Sequence, residues 1–419
     1  MKRGTKLFYS NFSRITLLGL AMLWASPAVG DLVASKAQRI FFSLAAFRLS
    51  SAPESVRTQM MDLVSQGRLT EAAAVAARQR TFFEKTIRHW AMKKTNGDGS
   101  PYGVLNDFVA TVIGHTRDNG DFRELFFGNF TYHADLSIPR VATVTNFNGV
   151  RPHSSENNLH YIDLDNRKNL YVELARATVQ FPNGVRFNVG SAENPTPFQQ
   201  APANETAGLL TTQTFIEAAG LGGTNRRFIK YVFEIFLRTT LDEVGDAFAL
   251  DHRVRRDVDR FPGGDMNLYN SKCRFCHAGM DALAGAFAKW EYDRNRVSYR
   301  TDGGIQGKYN QNNTVYPEGG ITQDTSWENL WLSGPIGWDA EKPLNGVGAR
   351  DFGRMVAYSD RLPVATAISV FEYLCKRKPS TEGADAKELA LATKAFENSN
   401  FNLRVLFENV ATLTSCTGL

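Results

Sequence analysis

The chain has 419 residues, of which 43% are hydrophobic and 22% are charged. This is the composition of an ordinary globular protein, with room for two or three domains or one large unit. The formal net charge is +5, but residues 1–30 contain four basic residues and no acidic ones, so the charge falls to +1 without them. This balance gives no reason to expect binding to nucleic acid.

Residues 1–30 have the pattern of a secretory signal peptide. A basic start is followed by the apolar run Ile15–Trp24, which is short for a membrane span, and then by small residues that predict cleavage after Gly30. An uncleaved anchor is the alternative. No other segment approaches the roughly 20 apolar residues of a spanning helix. We therefore expect an exported bacterial protein, periplasmic or secreted, with no integral membrane span after cleavage.

Residues 31–95 are expected to form an N-terminal helical region. Apolar residues recur at helical spacing over 34–49, 53–66 and 69–92. Pro53 followed by Glu54 is a typical helix start. These patterns predict three helices.

Residues 96–250 are expected to be a mixed middle region. Short helices are predicted at 105–113 and 122–127, and longer ones at 211–219 and 225–244. Residues 128–205 form the least helical part. There, the turn Pro182-Asn183-Gly184 lies between two apolar runs and predicts a β-hairpin.

Residues 251–345 contain the sequence Cys273-Arg274-Phe275-Cys276-His277. The pattern Cys-x-x-Cys-His is the attachment sequence of a c-type haem, in which both thiols bind the porphyrin and the histidine is the proximal iron ligand. A zinc site would need a second ligand pair at suitable spacing, and a thioredoxin-type pair would need a preceding strand. A disulfide across two intervening residues would be strained. We therefore predict one covalent haem c, on a helix over residues 276–290.

The second axial position of the iron is left open by the sequence. Met355 follows the motif in the order familiar from small cytochromes c, and His160 lies in a polar segment. We favour these two equally as distal ligands, with a surface or core role as the alternative for each. Met280 is one turn after His277 on the same helix, so we interpret it as a packing residue. The long loop predicted over residues 295–345 could cover the haem.

Haem propionates need cationic or hydrogen-bonding partners. Arg253 and Arg256, which closely precede the motif, are the predicted propionate contacts, with Arg255, Arg260, Arg226 and Arg227 as further basic residues nearby. A solvated basic face is the alternative interpretation.

Residues 346–419 are expected to form a C-terminal helical region of two to four helices. Cys375 and Cys416 lie in its two parts. In an oxidising compartment they could pair, and two buried thiols are the alternative. The predicted fold class is therefore mainly α: a multi-helix, c-type cytochrome-like architecture with an irregular, partly β-hairpin middle segment.

Residues 270–288 resemble the C-terminal cytochrome-like domains of the planctomycete-type secreted cytochrome family. In that family an Asp-Pro-x-Gly-x-Ala-Phe pattern follows the haem motif. Asp281, Gly285, Ala286 and Phe287 match this pattern, and Ala282 replaces the proline. The flanking segments 207–227 and 351–403 are also similar, so the resemblance covers roughly residues 205–415. It implies a haem-bearing, mostly helical secreted protein and no particular reaction.

Three kinds of function are compatible with such a chain. The first is a mono-haem c-type cytochrome that exchanges electrons with a redox partner protein. The second is a haem enzyme of the peroxidase or oxygenase type, which the size of the chain favours, although a distal acid–base group cannot be placed. The third is a haem-based sensor of redox state or of a gas.

Overall fold

The computed structural model describes residues 27–95, 107–134, 174–177, 201–220, 223–293, 296–311, 315–331 and 344–417. Within these residues the protein is mainly helical and has little strand, which confirms the prediction of a mainly α fold. No helix in the described part of the chain is long and apolar enough to cross a membrane. The predicted cleavage point after Gly30 falls in the first turn of the first helix.

The N-terminal helices form where the apolar spacing predicted them, with one break. Their bounds are α1 Pro27–Ala45, α2 Glu54–Ser65, α3 Leu69–Ala77 and α4 Arg88–Met92. The predicted single helix over 69–92 is wrong, because α3 ends at Ala77 and a π-helical turn occupies Phe82–Ile87. The hydroxyl of Thr86 donates to the carbonyl oxygen of Leu44 at 2.7 Å, so tertiary bonding to α1 accompanies this break.

In the middle region, helices precede and follow a small two-stranded sheet along the chain. The helices are α5 Asp107–Arg117, α6 Glu124–Phe127, α7 Gln213–Gly220, α8 Arg226–Val232 and α9 Leu241–Val244. Strands β1 Thr131–Ala134 and β2 Leu174–Ala177 pair antiparallel. The predicted hairpin turn at 182–184 lies outside the described residues. The predicted helix over 225–244 is interrupted, because Arg238 adopts a left-handed conformation with φ of 50°.

The segment with the Cys-x-x-Cys-His motif is one helical run with a change of winding. It consists of α10 Met266–Leu268, a π-helical turn at Tyr269–Cys273 and α11 Arg274–Ala284. The carboxylate of Asp265 begins the run by accepting from the backbone nitrogen of Asn267 at 2.8 Å. The helix predicted over 276–290 therefore starts earlier and ends sooner, since α11 gives way to a 3-10 turn at Gly285–Phe287 and then to a strand from Trp290.

The region predicted as a long loop is partly ordered into two antiparallel ribbons. Strand β3 Trp290–Asp293 pairs with β4 Arg296–Tyr299, and β5 Ser326–Glu328 pairs with β6 Asn345–Val347. Trp331 follows β5 and is buried against Gly279 of α11, where a Cβ would lie 2.1 Å from the indole. This part of the chain therefore packs directly on the helix that carries the motif.

The C-terminal region is helical, as predicted, but its described residues contain five helices rather than two to four. Its helices are α12 Gly348–Ala357, α13 Arg361–Cys375, α14 Gly383–Asn398, α15 Leu403–Val410 and α16 Thr414–Thr417. Cys375 and Cys416 form a disulfide. The ring of Phe407 in α15 contacts Phe82 at 5.6 Å and Trp90 at 5.7 Å between centroids. The C-terminal helices thus share one hydrophobic core with the N-terminal helices of the described residues.

A buried carboxyl in α15 predicts a pH-dependent stability. Burial raises the pKa of Glu408 from 4.5 to about 7, against the opposing charges of Arg404 and Arg78. The folded state then binds more protons than the unfolded state between these two values. The contribution of Glu408 to the free energy of unfolding should fall by about 3 kcal/mol as pH rises through this window.

Urea unfolding at pH 5 and pH 8 would measure this loss of stability. Glu408→Gln should remove most of the difference between the two pH values, because an amide cannot ionise. Glu397→Gln, at an exposed position of α14, is the matched control and should leave the difference unchanged. Equal pH dependence in the Glu408→Gln variant and in the wild type would contradict the prediction.

Candidate functional site

The two motif cysteines lie at the junction between the π-helical turn and α11. Cys273 and Cys276 are both free thiols and both partly buried. Burial raises the pKa of the Cys276 thiol, and the nearby carboxylate of Asp242 adds to this effect. The two thiols are three residues apart, a spacing that places both on one face of the helical run.

The third motif residue, His277, begins a hydrogen-bonded network. Its side chain is 26% exposed, and its Nδ1 lies 3.1 Å from Oδ1 of Asp281. The two residues are four apart in α11, a spacing that puts their side chains on the same helix face. The imidazole is therefore held from one side while part of the ring remains accessible.

Asp281 is fully buried and its carboxylate is completely bonded. Oδ1 accepts from His277 Nδ1 and from Arg226 Nε at 2.6 Å. Oδ2 accepts from the backbone nitrogen of Arg255 at 3.0 Å and from Arg226 Nη2 at 3.1 Å. These four bonds fill the approximately four acceptor positions of a carboxylate.

Asp281 is ionised in this environment. Burial by itself would raise the pKa of its carboxyl. The charges of Arg255 and Arg226 and the hydrogen bond from His277 outweigh that cost and hold the pKa well below its usual range. An ionised carboxylate can only accept hydrogen bonds, so Nδ1 of His277 is the protonated nitrogen. Nε2, the other ring nitrogen, is the one that binds the metal in carboxylate–histidine–metal arrangements.

Arg226 connects this network to a second acidic residue. Its Nη1 and Nη2 donate to the carboxylate of Asp257 at 2.9 Å and 2.6 Å. Arg226 comes from the first turn of α8, which packs against α11. The sequence suggested this arginine as one basic residue among several near the motif, whereas the structure makes it the main partner of Asp281.

Apolar side chains are exposed close to the motif. The segment 245–250 lies along the first turn of α11, because Asp246 N donates to Phe275 O and Arg274 Nη2 donates to Ala249 O, each at 3.1 Å. The neighbours of Ala249 are unusually exposed: Phe248 is 92% and Leu250 66% accessible. Ala249 itself belongs to a small core cluster against which Cys273 packs.

The two arginines predicted to contact propionates are engaged with the protein. Arg253 Nε lies 3.3 Å from Oε2 of Glu328 in β5, and Arg256 Nε donates to Gly319 O at 3.2 Å. Arg253 also borders a cavity of about 290 Å³ that reaches Asp281. Their role towards a propionate stays a prediction, and the structure brings neither of them into the network of His277.

The structure describes only one of the two predicted distal ligands. Met355 is fully buried in α12 and is part of the main hydrophobic core. This helix packs against α6, β6 and the short helical turn after α11. His160 lies outside the described residues. Met280, interpreted from the sequence as a packing residue, is indeed buried in the main core.

The residue that the motif did not reveal is Asp281. It entered the sequence analysis only as one position of a family pattern. The signal that could have found it is its spacing, since an acid four residues after a histidine in a predicted helix lies on the same face. Within the described residues, no group of three or more His, Cys, Asp and Glu side chains is placed to hold a metal ion. A haem iron takes only one or two ligands from the protein, so it does not require such a group.

Neither the protein-family models, nor the curated proteins, nor the solved structures include a match to this chain. The resemblance to the planctomycete-type cytochromes therefore rests on the quoted residues alone.

Proposed function

We propose that this protein is an exported mono-haem c-type cytochrome that passes electrons to or from a redox partner protein. Haem c would be attached through Cys273 and Cys276, with His277 as the proximal ligand. The observation that carries the proposal is the bond between His277 Nδ1 and the buried Asp281, which leaves Nε2 as the coordinating nitrogen. The proposal includes a periplasmic or secreted location and membership of the planctomycete-type family.

The residues around the motif fit a haem in three respects. Two free thiols are one turn apart on a helix, beside a histidine whose coordinating nitrogen is available. The nearby side chains of Phe248 and Leu250 are exposed apolar surface of the kind that a porphyrin covers. The motif helix packs against α8 and β5, and Asp281 orients its histidine.

The bound group would supply a one-electron couple of ferric and ferrous iron. Cys273 and Cys276 would hold the group through two thioether bonds. His277 would hold the iron from one face, and its orientation would be fixed by Asp281. Its partial exposure of 26% places the site near the surface, where a partner protein can approach.

A second candidate function is a haem enzyme of the peroxidase or oxygenase type. The observation in its favour is the position of Met355, which is fully buried in the main core of the protein. If Met355 stays in the core and His160 does not bind the iron, the distal position would be open to peroxide or oxygen. A haem-based redox or gas sensor would use the same open position.

The test of haem attachment is expression of the full chain in bacteria that possess a c-type haem maturation system. The purified wild type should carry one covalent haem, measured by intact mass and by the pyridine haemochrome spectrum. Cys273→Ala with Cys276→Ala should abolish the covalent haem, whereas the exposed neighbour Lys272→Ala should retain it. Retention of covalent haem in the double variant would refute the proposal.

The absorption spectrum of the same wild-type sample separates the candidates. A six-coordinate, low-spin haem favours the electron carrier. A five-coordinate, high-spin haem that turns over peroxide favours the enzyme and refutes the simple carrier.

A further inference from the structure

We infer that Asp281 is a positioning residue for His277 and that its charge lowers the reduction potential of the iron, an inference that rests on the proposed haem attachment. A carboxylate bonded to the outer nitrogen of a ligating histidine fixes the ring orientation and makes the ligand more basic. A more basic ligand favours ferric over ferrous iron. Asp281 would therefore act on the iron through His277 rather than by direct contact.

The hydrogen bonds around Asp281 hold its carboxylate in one orientation. The side chain of Asp281 is 0% exposed, and Arg226 holds it with Nε on one oxygen and Nη2 on the other. The backbone nitrogen of Arg255 completes the set. Since every acceptor position is filled, rotation of the carboxylate would break several buried bonds at once. The proton on His277 Nδ1 thus has one fixed acceptor.

Asp257, the second carboxylate bonded to Arg226, provides a matched control for Asp281. Asp257 also accepts two hydrogen bonds from Arg226, through Nη1 and Nη2, and its side chain is 19% exposed. Asp257 and Asp281 therefore carry the same charge and share one guanidinium. The carboxylate of Asp281, however, is the one that accepts from His277. A difference between variants at these two positions isolates the bond to the iron ligand from the general loss of one negative charge.

The experiment compares the midpoint potentials of haem-loaded wild type, Asp281→Asn and Asp257→Asn by spectroelectrochemical titration. Asp281→Asn should raise the ratio of ferrous to ferric protein at a fixed potential about tenfold, which is about 59 mV for a one-electron couple. Asp257→Asn should change this ratio much less. Equal shifts in the two variants, or no shift in Asp281→Asn, would overturn the inference.

A further variant covers the case in which Asp281→Asn does not fold. Asp281→Glu keeps the charge but displaces the carboxylate by one methylene, so the potential should move in the same direction by a smaller amount, and no movement would overturn the inference. Covalent haem is measured first in each sample. A wild type without covalent haem refutes the proposed function. If the variants carry haem and have the same midpoint potential as the wild type, only the inference about Asp281 is refuted.

Discussion

Replacing Gly353 by alanine should destabilise the protein by roughly 3 kcal/mol, because α12 lies very close to the backbone of α6. A Cβ at position 353 would lie 1.8 Å from the carbonyl oxygen of Phe126 and 2.7 Å from its carbonyl carbon. Backbone atoms cannot rotate away as a side chain can, so the two segments would have to separate. In an open helix the same change would stabilise by up to about 1 kcal/mol.

Urea unfolding followed by circular dichroism would measure this effect. Gly307→Ala is the matched control, since a Cβ at position 307 would meet nothing within 4 Å. The midpoint for Gly353→Ala should fall well below that of the wild type, with the control close to the wild type. If the two variants unfold at the same urea concentration, the close approach of α12 to Phe126 is not present in solution.

Removing the disulfide between Cys375 and Cys416 should cost about 4 kcal/mol by the loop-entropy relation. The bond closes a loop with a sequence separation of 41 residues, so its main action is to restrict the unfolded chain. In the folded state Arg377 Nη2 still donates to Ser415 O at 2.7 Å, which keeps the two segments adjacent without the bond.

The measurement is the free energy of unfolding of Cys375→Ala with Cys416→Ala, in the presence and absence of a reducing agent. The wild type should lose stability on reduction and approach the double variant. The double variant should be insensitive to the reducing agent. A wild type with the same stability under both conditions would show that the disulfide is absent or without effect.

Apolar periodicity predicted several helices correctly and missed the interruptions in two others. Apolar spacing predicted α2, α5 and the C-terminal helices, because the buried face of each helix repeats along its own sequence. The same method predicted unbroken helices over 69–92 and 225–244, and both are interrupted. The interruptions coincide with tertiary features, such as the bond from Thr86 to Leu44 and the left-handed backbone of Arg238. A local pattern does not report such contacts.

At the candidate site, too, the local sequence predicted some features and tertiary contacts determined others. The attachment pattern Cys-x-x-Cys-His is local, so the sequence by itself predicted which two cysteines would hold a haem and that His277 would bind its iron. The pairing of Cys375 with Cys416 was open in the sequence and was decided by the packing of α13 and α16.

The hydrogen-bond network that holds His277 was visible only in the tertiary structure. Asp281 is four residues away on the same helix, but its ionised, fully bonded state depends on Arg226, which is 55 residues distant, and on Arg255, which is 26 residues distant. A buried carboxylate is stable only when such partners surround it. Sequence spacing can bring two side chains to one face of a helix, whereas the charges that fix their protonation come from elsewhere in the fold.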